Sequence, residues 1–169
     1  MQREFRDACG QFATGVMVLM AEDGGMTINA FMSLSLDPLL VAVSIHQKSY
    51  LASRLVQTGA AFTLSVLASD QEPLARFYSK PRLTRGASTP GAVYGREDRP
   101  AVIEGACAWF WCQTVQAPQT GDHWLIVARV EDLVSRPGRS PLVFHRGRFW
   151  DGVGAHDETW LEHLLLLER

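Results

Sequence analysis

Apolar and polar positions change period several times along this chain, and each change marks an element. Phe5, Ala8, Cys9 and Phe12 recur at i, i+3, i+4 and i+7, one face of a short helix that ends before Gly15. GVMVLM then reads as a strand, EDGG at residues 22–25 as a tight hairpin turn, and MTINAFMS as the returning strand. LLVAVSI is the next strand, begun after the turn-forming Asp37-Pro38 pair. Ser49 is placed to cap a helix whose apolar Leu51, Leu55 and Val56 lead to Gly59 as a stop. AFTLSVL alternates, with Phe62, Leu64 and Val66 on one face and Thr63 and Ser65 on the other.

In SDQEPLARFYSK, Ser69 and Glu72 have capping-box spacing, which predicts a short helix carrying Leu74, Ala75 and Phe77 inward and presenting Arg76 and Lys80 at its polar edge. From Pro81 to Pro100 the chain is rich in Pro, Gly, Arg, Ser and Thr with little periodicity, and it reads as a surface loop of about twenty residues. Strand patterns resume in ACAWFWCQTV, WLIVARVEDLV and PLVFHRGRFW, and DETWLEHLLLLER reads as a closing helix. Six or seven strands joined mostly by short turns, with helices between some of them, favour an antiparallel barrel over alternating βαβ units. No GxGxxG follows a strand, so a dinucleotide would not bind here in Rossmann fashion.

Composition narrows the function classes. With 169 residues the chain can bury roughly 70% of its unfolded surface, so one compact unit is expected. A net charge of −2 offers no basic face for nucleic acid. No apolar run approaches the ~18 residues of a membrane span, and the first twenty residues lack the continuous apolar core of a signal peptide, so a soluble, unprocessed protein is expected. Cys9, Cys107 and Cys112 form an odd set with no CxxC pair, which reads as free thiols in the cytoplasm rather than a disulfide framework.

Thr27, Asn29, Ser33 and Ser35 fall at odd-numbered positions beside the small Ala30. In a strand they share one face, which is either the solvated side of a sheet or a row of donors and acceptors for a flat heterocycle with its sugar and phosphate. Lys48-Ser49 and the Arg76, Phe77 and Lys80 group are candidate phosphate contacts at helix ends, or ordinary caps and surface cations. Asp122-His123 opens one strand and His145 ends another; these histidines either orient a carboxamide or phosphate or cap strands. Neither HxH nor HExxH occurs and no GxSxG elbow exists, so no metal site and no nucleophilic triad is expected. Trp109, Phe110 and Trp111 read as core and interface aromatics.

Taken together, FRDACGQFATGVMVL, MTINAFMSLSLDP, LVAVSIHQKSYLASRL, AAFTLSVLASDQEPLARFY, GDHWLIVARV and PLVFHRGRFW run in the order seen in the short-chain flavin reductases, which this chain resembles. That group comprises the reductase components of two-component flavin monooxygenases, within the FMN-binding split-barrel proteins. The resemblance implies a mainly β fold with added helices: a six-stranded antiparallel Greek-key split barrel, as a single domain over residues 1–169 with its core at about 3–150 and a helical tail after it. It implies a homodimer and NADH- or NADPH-dependent reduction of FMN or FAD, with reduced flavin diffusing to a separate oxygenase. No nucleic acid or membrane partner is implied. Thr27, Asn29, Ala30, Ser33 and Ser35 match the segment lining the isoalloxazine and ribityl chain. Ser49, Arg76 and Phe77 match positions near the phosphate, and His123 is the candidate catalytic residue beside the nicotinamide. A carrier or sensor without turnover is the alternative, and a pyridoxine-phosphate-type oxidase a third. The chain departs from the pattern at Leu39, at KPRLTRGASTPG, and at Tyr78, where a small Ala is common.

Overall fold

Strands dominate the computed structural model, which describes residues 1–86, 88–96 and 99–154. Three helices appear among them: α1 (Gln2–Cys9), α2 (Ala52–Leu55) and α3 (Glu72–Ser79). The strands are β1 (Thr14–Gly15), β2 (Met17–Ala21), β3 (Gly24–Ile28), β4 (Phe31–Leu36), β5 (Leu39–His46), β6 (Ala61–Val66), β7 (Val93–Arg96), β8 (Arg99–Ile103), β9 (Ala108–Gln116), β10 (Gln119–Thr120), β11 (His123–Ser135), β12 (Leu142–His145) and β13 (Arg148–Asp151). The main sheet runs β3-β2-β6-β9-β11-β5-β4, with β10 added beside β11, and every pairing is antiparallel.

The strand order forces the sheet to curl. β3 and β4 stand at opposite ends of the path, which laid flat would separate them by roughly 29 Å at the usual strand spacing. Only Asn29 and Ala30 join them, and the link from Ile28 to Phe31 reaches at most about 11 Å. The ends must therefore meet, and the carbonyl of Ala30 accepts the Ser44 amide at 3.2 Å to fix that corner. Register shifts in the long β11 at Val127/Ala128 and Val130/Asp132 add bend where the sheet turns. The β2–β3 and β4–β5 hairpins are consecutive in sequence yet lie on opposite flanks, the separation expected of a Greek key. MTINAFMS is thus two strands broken at residues 29–30, because the second half pairs with β5 rather than continuing beside β2.

Both faces of the central strands are covered. Inside the curl Leu19, Val43, Phe62, Leu64 and Ile126 pack together; on the outside Val18 and Met20 meet Leu74, Ala75 and Tyr78 of α3 and Val102 and Ile103 of β8. Thr63 and Ser65, expected on a separate polar face of their strand, are completely buried. Their hydroxyls bind β8: Thr63 Oγ1 donates to the Ala101 carbonyl, and Ser65 Oγ accepts the Ile103 amide at 3.0 Å. The stretch 81–100 consequently holds more order than a loop, with a 3-10 turn at Arg82–Thr84, strand β7 and the start of β8.

Other details shift by a residue or two. The return bond expected from Glu72 is made by Gln71, whose Oε1 accepts the Ala68 amide at 3.0 Å, so the helical run starts at Ser69 instead of being capped by it. Leu74 and Ala75 are inward as expected, but Tyr78 takes the deeper place and Phe77 is only half-buried. PLVFHRGRFW is a hairpin, β12–β13, turned at Arg146 and Gly147 with φ of 50° and 77°. The helix expected from Phe5 to Phe12 ends at Cys9, and no residue of α1 is buried; Phe5 is 70% and Phe12 77% exposed. The helix expected in DETWLEHLLLLER lies outside the described residues.

Candidate functional site

A cavity of about 410 Å³ opens between the end of β3, the turn before α2, the C-terminal end of α3 and the β12–β13 hairpin. Val16, Ile28, Phe144 and Phe149 give it apolar walls, while Thr27, Asn29, Ser49, Tyr50, Lys80 and Arg85 supply polar groups. This mixture suits a flat ring with polar edges and an anionic tail.

Each wall is held by its own backbone logic. Thr27 Oγ1 donates to the Ala75 carbonyl at 2.7 Å, tying β3 to α3. Asn29 Nδ2 donates to Thr14 Oγ1 at 3.3 Å, and its Oδ1 has no hydrogen-bond partner among the described residues. Ser49 Oγ sits 3.4 Å from both Met26 Sδ and the Leu51 amide at the entrance to α2. Gly25 permits a close approach: a Cβ there would meet Met20 Sδ at 2.1 Å, the Leu19 carbonyl at 3.1 Å and Tyr78 Cε1 at 3.1 Å.

Arg85 closes one end. Its Nη1 donates to the Gly25 carbonyl at 2.6 Å, Nη2 to the Tyr78 carbonyl at 2.9 Å and Nε to the Lys80 carbonyl at 2.9 Å. The guanidinium lies 5.3 Å from the Tyr78 ring and 5.8 Å from that of Tyr50, whose hydroxyl also donates to Gly25 O at 2.7 Å. Burial pushes the Tyr78 phenol above its ordinary range, and the charge of Arg85 opposes that shift. One arginine thus locks the 80–85 segment, α3 and the β2–β3 hairpin together.

The residues nominated for the flavin separate into three groups, and His123 stands apart from the cavity lining. Thr27, Asn29 and Ser49 meet at the cavity. Arg76 and Phe77 stand behind its wall: Arg76 pairs with Glu72 at 2.6 Å and covers the ring of Phe149 at 5.0 Å, and Phe77 stacks edge-on against Tyr78. Ala30, Ser33 and Ser35 do not line it; Ala30 is exposed at the corner, and the two serines lie on the outermost strand β4 across a register shift.

His123 lies at the start of β11, directly opposite His46 at the end of β5. The rings meet edge to face at 5.1 Å. Asp122 Oδ1 is 2.7 Å from His123 Nδ1 and Oδ2 is 3.8 Å from His46 Nε2. The Asp122 carboxyl is lowered from its ordinary range, first by the hydrogen bond from His123. No cluster that could hold a metal ion forms here or elsewhere among the described residues.

Sequence reasoning missed Arg85, His46, Tyr50, Phe144 and Phe149. Arg85 sits in an aperiodic stretch, and the others become functional candidates only once distant strands are paired. Residues 9–152 match the flavin reductase like domain. The chain belongs to that family. This flavin reductase-like chain is 38% identical to an NADH-dependent flavin reductase from a Rhodococcus species, over 92% of its own length and 89% of that protein's. It is 35% identical to the reductase component of a flavin-dependent trigonelline monooxygenase from Acinetobacter baylyi, covering 88% of this chain but 48% of that longer protein. In three dimensions it resembles a Streptomyces globisporus NADH:FAD oxidoreductase solved with NAD and FAD fragments, with a TM-score of 0.82, 29% identity, and coverage of 92% and 95% of the two chains. The fold is therefore the split barrel of the flavin reductases.

Proposed function

We propose that this chain catalyses NADH- or NADPH-dependent reduction of FMN or FAD and releases the reduced flavin to a separate oxygenase. The observation that carries this reading is the 410 Å³ cavity, apolar along Phe144, Phe149 and Ile28 and cationic at Lys80 and Arg85, within the segment 9–152 that matches the flavin reductase like domain. Flavin, when bound, accepts a hydride from the reduced nicotinamide and carries the electrons away.

The chain's own work is to bind and orient. Apolar walls desolvate the ring, Asn29 Oδ1 and Ser49 Oγ offer hydrogen bonds to its edge and side chain, and Lys80 offers its charge to a phosphate. His123 serves the nicotinamide. A carboxylate can only accept, so its bond to Asp122 places the proton on Nδ1 and leaves the Nε2 lone pair free to accept from a carboxamide N–H. No side chain needs to move a proton in the hydride step. Release to a partner requires moderate affinity, on the order of micromolar, or about −8 kcal/mol.

Mixing the protein anaerobically with each nicotinamide and each flavin, and following 340 nm and flavin absorbance, is expected to bleach both bands over repeated turnovers. Binding without bleaching would convert the reading to a carrier or sensor. His123→Ala is expected to raise KM for the nicotinamide about tenfold, the worth of one lost hydrogen bond, with a smaller change in kcat.

The protein works as a homodimer in the cytoplasm. Support for the dimer comes from the outer β4 edge, where Met32, Leu34, Leu36 and Leu39 are exposed beside Ser33 and Ser35, with Leu36 at 83%. A second copy seated there would bring that serine row into a binding site the single chain leaves it outside. Light scattering is expected to give twice 18.8 kDa, and Leu36→Asp to shift it toward the monomer. A monomeric parent protein at working concentration would refute the dimer.

A further inference from the structure

His46 is drawn into the nicotinamide end by a register that the sequence hides. β5 ends and β11 begins at the same level, so His46 and His123 are direct cross-strand partners. Main-chain bonds fix the surrounding turn: the Gln47 amide donates to the Asp122 carbonyl at 3.0 Å and the Ser49 amide to the His46 carbonyl at 2.8 Å. The Lys48 amide donates to His46 Nδ1 at 3.0 Å. An N–H can be received only by an unprotonated ring nitrogen, so the proton of His46 is on Nε2, the atom that faces Asp122 Oδ2. Asp122 is thus hydrogen-bonded to His123 through Oδ1, while the neutral His46 ring turns its N–H toward Oδ2 at 3.8 Å, a dipolar contact longer than a hydrogen bond.

We infer that His46 is a positioning residue: its ring packs edge to face on His123 and its N–H dipole faces the second oxygen of Asp122, which biases the first oxygen to keep His123 in its Nδ1–H tautomer, with Nε2 presented to the nicotinamide carboxamide. Asp122 is 71% exposed and His46 43%, so without His46 the carboxylate is free to turn toward water and share its hydrogen bond to His123 with other rotamers. The same turn carries Ser49 into the cavity, so this contact also couples the two ends of the site. This inference rests on the reading of His123 as the nicotinamide contact.

Three variants of the full chain separate the parts. His46→Ala removes everything. His46→Asn keeps an acceptor for the Lys48 amide but has no N–H that reaches Asp122, and His46→Gln places an amide N–H near the position of Nε2. Ala and Asn are expected to raise KM for NADH or NADPH about two- to fivefold, the scale of a weak exposed polar contact, with kcat nearly unchanged and Gln close to the parent. The imidazole nitrogen NMR spectrum of His123 is expected to lose Nδ1–H character in Ala and Asn and to regain it in Gln. An unmoved His123 spectrum in the Ala variant, or parent-like KM in Asn, overturns the role of His46. A shifted spectrum with KM unmoved, both here and in His123→Ala, overturns the nicotinamide reading on which it rests.

Discussion

Replacing Arg85 by alanine is expected to weaken flavin binding at least tenfold and to lower the unfolding free energy by about 2 kcal/mol. The three carbonyls that lose the guanidinium differ in what remains to them. Gly25 O keeps the Tyr50 hydroxyl, and Lys80 O lies on an exposed residue where water replaces the donor. Tyr78 O is the costly one, because its residue, near the end of α3, is buried against β2. One poorly compensated hydrogen bond from a charged donor, plus lost stacking on Tyr50 and Tyr78, gives about 2 kcal/mol rather than the sum of three. Binding suffers more than stability because Lys80, Pro81 and Tyr78, all cavity residues, lose their common anchor together with a positive charge at the phosphate end. Arg85→Lys keeps the charge but cannot fork to three carbonyls, so it is expected to recover part of the affinity and little of the stability. Urea titration and flavin fluorescence quenching read the two effects separately. Unchanged flavin affinity in Arg85→Ala would remove Arg85 from the site.

Arg85 also shows where sequence reasoning stops. Strand alternation, the DG turn and the strand-rich second half placed most of β2, β5, β6, β9 and β11, because each is governed by local patterning. Thr63 and Ser65 look solvated in the sequence, since nothing in AFTLSVL reveals that β8 will cover that face and supply a carbonyl and an amide at the right height. The break at Asn29 and Ala30 is equally invisible locally; it follows from closing a seven-strand path with a two-residue link. Resemblance supplied Thr27, Asn29 and Ser49, which do converge, and it also supplied Ser33 and Ser35, which one chain alone leaves at its rim. His46 and Arg85 needed coordinates. Their meaning lies in cross-strand register and in three carbonyls gathered from separate elements, neither of which has a sequence signature.

Alkaline pH is expected to destabilise the fold through Cys112. Its thiol lies in the inner core beside Phe62 and Ile126, 2% exposed, and burial, reinforced by the charge of Glu131, pushes it from the ordinary 9.0 up to about 12. The unfolded chain releases this proton near pH 9 while the folded one holds it. Its contribution is therefore complete below pH 9 and is lost as pH rises toward 12. The whole interval corresponds to about 4 kcal/mol, of which about 2 kcal/mol is gone by pH 10.5. The Tyr78 phenol, also raised by burial, acts in the same direction above pH 10. Urea midpoints measured from pH 7 to 10.5 are expected to fall steeply in the parent protein. Cys112→Ala starts lower at pH 7, by about 1 kcal/mol for the small void, but loses less with each further step in pH because nothing at that position remains to ionise. If the two curves run parallel instead, the alkaline loss belongs to other groups and Cys112 ionises over the same pH range in the folded and unfolded chains.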